Sequence, residues 1–242
     1  MAKRQPVFLI IILLLVIIAG AGFWFLRLKF AAPAGSRSSA AIESVPGNLP
    51  LRQIRRQSQE GGNGEVIIGR LQSAAQIDGF SCAAGWVHFF ESGRLRAFVL
   101  NDSATIQGNS IPGGTWVRLN PDSTLALCSF PADTAIQGYP CKGGPGGSEG
   151  VTTAFYPTGR LSSFYPRADV MVEGLLCRAT PFGPVSLYES GSLKECTLAR
   201  DALIGGRSVP SGQVVALDAQ GQIRSVTAPS WLERVRNWTR IF

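Results

Sequence analysis

Three patterns of hydrophobic and polar positions divide the chain. The first is unbroken: residues 7–26 (VFLIIILLLVIIAGAGFWFL) form an uncharged apolar run of twenty. As a helix, such a run spans about 30 Å, the thickness of a bilayer's hydrocarbon core. Lys3 and Arg4 precede it and Arg27 and Lys29 follow. Phe23, Trp24 and Phe25 gather at its far end, as interfacial anchors do. Residues 1–30 are therefore expected to be a single-pass transmembrane anchor. A cleaved signal peptide is the competing reading, since Ala19-Gly20-Ala21 offers a small-residue site, but five apolar residues continue beyond it. The Lys/Arg count is nearly balanced across the run and gives the positive-inside rule little to act on. A short N-terminal tail before a long domain favours a domain on the periplasmic, extracytoplasmic side.

The second pattern is an absence of period. Residues 31–65 are rich in Ala, Gly, Ser, Pro, Gln and Arg and end in Gly61-Gly62-Asn63-Gly64. They read as a flexible linker with a root-mean-square reach of roughly 30 Å.

The third pattern, over residues 66–228, is alternation that repeats. SGRLRAFVLNDSATIQGNSI, DSTLALCSFPADTAIQGYPC, TGRLSSFYPRADVMVEGLLC and SGSLKECTLARDALIGGRSV align with a period of about 30 residues. A glycine-rich insertion at 143–150 stretches the period once. Hairpin turns are expected at Gly93, Ser123, Gly159, Gly191 and Gly221, where a residue tolerant of positive φ is wanted. Leu95, Leu125, Leu161, Leu193 and Ile223 follow those turns. Val87, Val117, Thr153, Val185 and Val215 stand six before them, and Phe89, Leu119, Phe155, Leu187 and Leu217 four before. Spacing by two predicts half-buried antiparallel strands. Asp102, Asp133, Asp169 and Asp201 then suit a turn, because a carboxylate there can accept backbone N–H bonds. The expected unit is strand, tight turn, strand, Asp turn and one short third strand. The expected fold is all-β: repeated antiparallel β-hairpin units forming an elongated meander or a β-solenoid.

The phrases FYPTGRLSSFYP and SLYESGSLKECTL resemble the MORN-variant, YwqK-type repeats of bacteria, which run as aromatic, turn, Gly, small polar, Leu. The resemblance covers residues 85–226. It implies a β-hairpin array used for protein or membrane contact, and it brings no catalytic residues with it. The tryptophan and paired glycines of standard MORN repeats are mostly missing here.

Charge changes the picture only by its location. The net charge is +7, with much of the excess at Arg52, Arg55 and Arg56 in the linker and at Arg234, Arg236 and Arg240 near the end. No aromatic-interleaved basic face is evident between them, so nucleic acid is not an expected partner. Membrane lipid suits basic residues beside an apolar span.

Candidate chemistry is thin. Cys82, Cys141 and Cys177 fall in the slot that Ile111 and Val209 fill elsewhere, and Cys128 and Cys196 fall in that of Phe98 and Phe164. Each therefore replaces a core residue and packs as a small hydrophobe. If a disulfide forms, Cys141–Cys177 is the expected pair, because a solenoid stacks equivalent positions at about 4.8 Å, whereas a flat meander would hold them too far apart. There is no CxxC pair and only one histidine, so no metal site or cofactor is expected. His88 occupies an outward strand slot shared with Arg118, Ala154, Ser186 and Ala216, and reads as a solvated surface residue. Nothing places a nucleophile beside it, so no enzyme is expected.

Residues 229–242 begin with a capping box, Ser230 and Glu233, and continue as an amphipathic helix. It would lie on the membrane surface, cap the end of the β-array or dock into a partner. The expectation is a membrane-anchored, protein-binding or accessory subunit of a membrane complex, with an envelope carrier of lipid or amphipathic ligands as the alternative. Contact residues would be Trp86, Trp116, Trp231, Arg234, Trp238, Arg240 and Phe242.

Overall fold

Alternation by two puts Val87 and Phe89 on one side of a strand and Trp86 and His88 on the other, and the same parity recurs along the chain. The structure, a computed structural model, describes residues 49–58, 65–144, 151–181 and 183–228. The expected membrane run, most of the linker and the expected C-terminal helix lie outside the described residues. Among the described residues, no helix is long and apolar enough to cross a membrane.

The described part of the chain begins with β1 (Leu51–Ser58), β2 (Glu65–Leu71), β3 (Ala75–Ile77), β4 (Phe80–Cys82), β5 (Gly85–Phe90), β6 (Leu95–Val99), β7 (Ala104–Ile106) and β8 (Asn109–Ile111). It continues through β9 (Trp116–Leu119), β10 (Leu125–Ser129), β11 (Thr134–Ile136), β12 (Tyr139–Cys141), β13 (Thr153–Phe155), β14 (Leu161–Phe164), β15 (Val170–Val172) and β16 (Leu175–Cys177). It ends with β17 (Val185–Leu187), β18 (Leu193–Thr197), β19 (Ala202–Ile204), β20 (Arg207–Val209), β21 (Val214–Leu217) and β22 (Ile223–Thr227). Twelve strands form one sheet, ordered β1-β2-β5-β6-β9-β10-β13-β14-β17-β18-β21-β22, and the other ten form five two-stranded ribbons. Neighbours in the sheet are antiparallel, so the fold is a meander and not a solenoid.

Two expectations change here. The unit has two short strands after the Asp turn, not one, and they pair with each other as a ribbon. The segment read as aperiodic linker contains β1, an edge strand that pairs with β2 through its backbone. Its exposed side chains need no alternation, so the sequence pattern does not reveal it.

The expected sheet turns are present, with φ between 67° at Ser123 and 93° at Gly191. After each turn the register slips by one residue. Phe89 faces Leu95 but His88 faces Ala97, which leaves Arg96 as a bulge. Ala126, Ser162, Lys194 and Arg224 take that slot in the other hairpins. The ribbons turn on two residues that both have positive φ, as at Asp78-Gly79 (48° and 84°) and Gln107-Gly108 (48° and 76°), which matches the right-handed twist of the strands.

The first residue of the ribbon turn holds the two layers together. Its side chain accepts the N–H of the leucine that follows the sheet turn: Leu95 to Asp78 at 2.7 Å, Leu125 to Gln107 at 2.7 Å, Leu161 to Gln137 at 3.2 Å and Leu193 to Glu173 at 2.9 Å. Gln107 also donates to the Pro157 carbonyl at 2.6 Å, reaching the next hairpin. Gly159 lets it approach, since a Cβ there would stand 2.7 Å from Gln107 Cβ. The ribbons cover one face of the sheet, and the buried apolar residues between the layers form one cluster.

The Asp turns work as expected in three units, where Asp133, Asp169 and Asp201 accept the N–H ten residues on. Asp102 sits one residue early. Ser103 accepts the corresponding N–H of Gly113, while Asp102 takes bonds from Asn101 and then Ser81 that hold its carboxyl below the ordinary range.

All five cysteines are buried and free in the core slots expected of them. Each unit contributes two strands to the sheet, so equivalent positions in consecutive units lie about 10 Å apart, beyond disulfide range. The Cys141–Cys177 bridge therefore does not fit this architecture. Cys177 instead pairs through its backbone with Leu198 and donates its thiol to the Leu175 carbonyl at 3.8 Å, and the neighbouring Cys177 thiol, with burial, raises the Cys196 pKa. Burial pushes Cys82 up to about 12 and Cys141 up to about 11.

Replacing Gln107 by glycine keeps the positive φ unstrained and removes both of its side-chain bonds. We expect urea denaturation to show a loss of about 2 kcal/mol, at roughly 1 kcal/mol per hydrogen bond. A stability equal to wild type would refute the cross-layer role.

Candidate functional site: the open face of the sheet

With one face under the ribbons, the outward-pointing residues of the sheet make the other surface. Registers place Arg52 opposite Arg70 and Arg55 opposite Ile68, then Arg70 opposite Trp86, Ile68 opposite His88, and Val66 opposite Phe90. The row continues from His88 to Ala97, from Ala97 to Arg118, and from Val99 to Trp116. Nine side chains on β1, β2, β5, β6 and β9 thus share a surface: Arg52, Arg55, Arg70, Trp86, His88, Phe90, Arg96, Trp116 and Arg118.

This surface is built from arginines on aromatic rings. The Arg55 and Arg70 guanidiniums lie 5.4 Å and 6.0 Å from the Trp86 ring centroid, and Arg96 lies 5.7 Å from that of Phe90. Trp86 is 47% exposed, and Trp116 is half-buried. The arginine and aromatic side chains cover Val66, Ile68 and Ala97, which are buried although they face away from the core cluster.

The electrostatics are one-sided. Like charges directly opposite across a strand pair repel, as Arg52 and Arg70 do. Burial, then the charge of Arg118, draw the Arg96 guanidinium below its ordinary pKa. Among the described residues, no carboxylate forms an ion pair with Arg52, Arg55, Arg70, Arg96 or Arg118. At the β1 edge, Gln53 at φ 55° interrupts the register between Arg52 and Arg55. A shallow depression of about 430 Å³ opens there, lined by Arg52, Gln53, Arg70, Gln72 and Gly85.

The other half of the open face is different. Its central row reads Ala154, Ser163, Ser186, Glu195, Ala216 and Ser225, small residues with one carboxylate, and the bulge slots beside it add Lys194 and Arg224, so this half is of mixed charge. Two further depressions, of about 440 Å³ and 450 Å³, lie at the ribbon turns. Their polar side chains include Gln107, Gln137 and Glu173, which already serve the cross-layer bonds. His88 stands on the open face and the five cysteines in the core on the other side of the sheet, so they do not converge.

Comparison with protein-family models, curated proteins and solved structures gives no match for this chain.

Of the expected contact residues, Trp86 and Trp116 both lie on this face. Trp231, Arg234, Trp238, Arg240 and Phe242 fall outside the described residues. The expectation that no aromatic-interleaved basic face exists is overturned by Arg55, Arg70, Arg96, Arg118 and Phe90. The signal was present as parity: Trp86, His88 and Phe90 alternate on one strand, and Trp116 and Arg118 on another. Only the register joins them to Arg55 and Arg70.

His88 is outward, as expected, but not fully solvated. Burial, then the charges of Arg96 and Arg55, lower its pKa below the ordinary 6.5. A base whose pKa is lower in the folded state binds its proton more readily after unfolding, so stability is full above pH 6.5 and falls as pH drops towards the folded pKa. Acidification from pH 7.5 to pH 5.5 is expected to lower the melting temperature of wild type more than that of His88→Gln. Parallel shifts in the two proteins would count against this reading.

Proposed function

We propose that this chain is a membrane-anchored β-repeat protein, held on the extracytoplasmic side, that acts by binding as an accessory or structural subunit of a membrane complex. The observation that carries the proposal is the division of labour between the two faces of the sheet. One face is sealed by ribbons over a continuous core, and the other is a broad surface half covered by arginines and aromatic rings. Such a surface recognises a partner by area and charge, as protein interfaces rich in Trp and Arg do.

A packed interior supports this reading over an envelope carrier, which needs an apolar groove for acyl chains. Phe89, Phe98, Phe130 and Phe164 fill the space between the layers and are at most 1% exposed. The absence of convergence between His88 and the thiols supports binding over catalysis. The twenty-residue apolar run supports the anchor.

The test is affinity purification of the full-length chain in mild detergent, beside a control lacking the last thirteen residues, with mass spectrometry of what co-purifies. A stoichiometric membrane protein retained by the full chain is expected, and its loss from the control would make the C-terminal segment the docking element. A stoichiometric lipid with no protein partner would reject the proposal and favour the carrier.

A further inference from the structure

We infer that the basic, aromatic half of the open sheet face seats on an anionic phospholipid surface, with headgroup phosphates neutralising its arginines and Trp86 entering the interfacial zone. The inference rests on the membrane-anchored reading and adds to it a second point of membrane contact, away from the apolar run.

Three observations favour this occupant. Arg52 and Arg70 oppose one another, and Arg96 lies within the field of Arg118, with no carboxylate in ion-pair contact with them among the described residues. A sheet that holds like charges together in this way gains from an anion placed over them. The charges are also spread over five adjacent strands, about 20 Å across, which matches a lattice of headgroups better than a single carboxylate. Trp and Phe beside Arg are the residues that settle at a membrane–water boundary.

Chain connectivity adds a fourth. β1 is the first described strand after the expected anchor, with twenty-one residues between Lys29 and Leu51. Even fully extended, that segment reaches at most about 75 Å, so the basic end of the sheet is held at high effective concentration near the bilayer. The small, mixed-charge half of the open face lies at the other end of the strand order.

The experiment uses the full-length protein reconstituted into vesicles whose acyl chains carry bromine, a short-range quencher of tryptophan. The Trp86 signal is the difference between wild type and Trp86→Phe. In vesicles of phosphatidylcholine and phosphatidylglycerol we expect that signal to be quenched. The quenching should be lost in phosphatidylcholine alone and in about 0.5 M salt, where the screening length falls to about 4 Å. Arg55→Gln with Arg70→Gln should lower the docked-to-undocked ratio about 25-fold, roughly fivefold for each basic residue withdrawn. Arg55→Lys with Arg70→Lys should keep docking, which separates charge from the loss of packing on Trp86. If the chain fails to enter the vesicles, the anchored reading fails, and the same readout on protein added to preformed vesicles still decides the inference. Quenching that is absent, or equal in both lipid compositions, overturns it. So does a Trp86 signal that responds to poly-glutamate or to a single-stranded oligonucleotide but not to the anionic vesicles.

Discussion

The hydrogen bond from a sheet N–H to the side chain of a ribbon turn is the interaction on which the rest of the structure depends. A single-layer meander cannot bury a core, and three-residue strands such as β7 and β8 cannot hold a position by their own ladder. In four of the five units the N–H of the leucine just before the bulge is taken by the side chain of Asp78, Gln107, Gln137 or Glu173. Each bond contributes about 1 kcal/mol and also sets where the ribbon lies. Once placed, the ribbon seals Ile77, Ile106, Ile136, Val172 and Ile204 against the sheet. In the last unit Gly205 has no side chain to reach across, and its Cβ position lies 3.2 Å from Gln222 Oε1 instead.

Because the covered face supplies most of the burial, the open face is free to hold residues that the packing of the core does not require. Arg52 opposite Arg70 is unfavourable by itself, and so is Arg96 close to Arg118. Stacking on Trp86 and Phe90 offsets part of that cost without removing the charge. A surface so arranged keeps its like charges close together, and an anion placed over them would offset their repulsion.

The sheet hairpins were legible from sequence because two signals agreed in each: apolar spacing by two, and a positive-φ residue at the turn. The cysteine slots followed from the same register. The ribbons were half legible. A three-residue strand is too short to show a period, and of the five turns only Asp78-Gly79 and Gly205-Gly206 use familiar hairpin pairs, whereas Gln107-Gly108, Gln137-Gly138 and Glu173-Gly174 do not. β1 was hidden because an exposed edge strand pairs through its backbone and imposes little on its side chains. The basic face was hidden for another reason. Its arginines lie between positions 52 and 118, on strands whose adjacency depends on pairing, and Arg96 reaches Phe90 only because a bulge carries it there.

The bulge slot and the outward slot before the sheet turn are the places where the repeat leaves side chains unconstrained. The bulge slot reads Arg96, Ala126, Ser162, Lys194 and Arg224, and the outward slot reads His88, Arg118, Ala154, Ser186 and Ala216. The inward slots hold almost the same aliphatic or aromatic residues from unit to unit. The packed core and the exposed surface are therefore written in different positions of one repeat. A substitution at Leu95 or Phe89 acts on the fold, and one at Arg96 or His88 acts on what the surface can meet. A face that is basic at one end and small and of mixed charge at the other can arise from five similar units, because nothing in the packing of the core couples the two sets of positions.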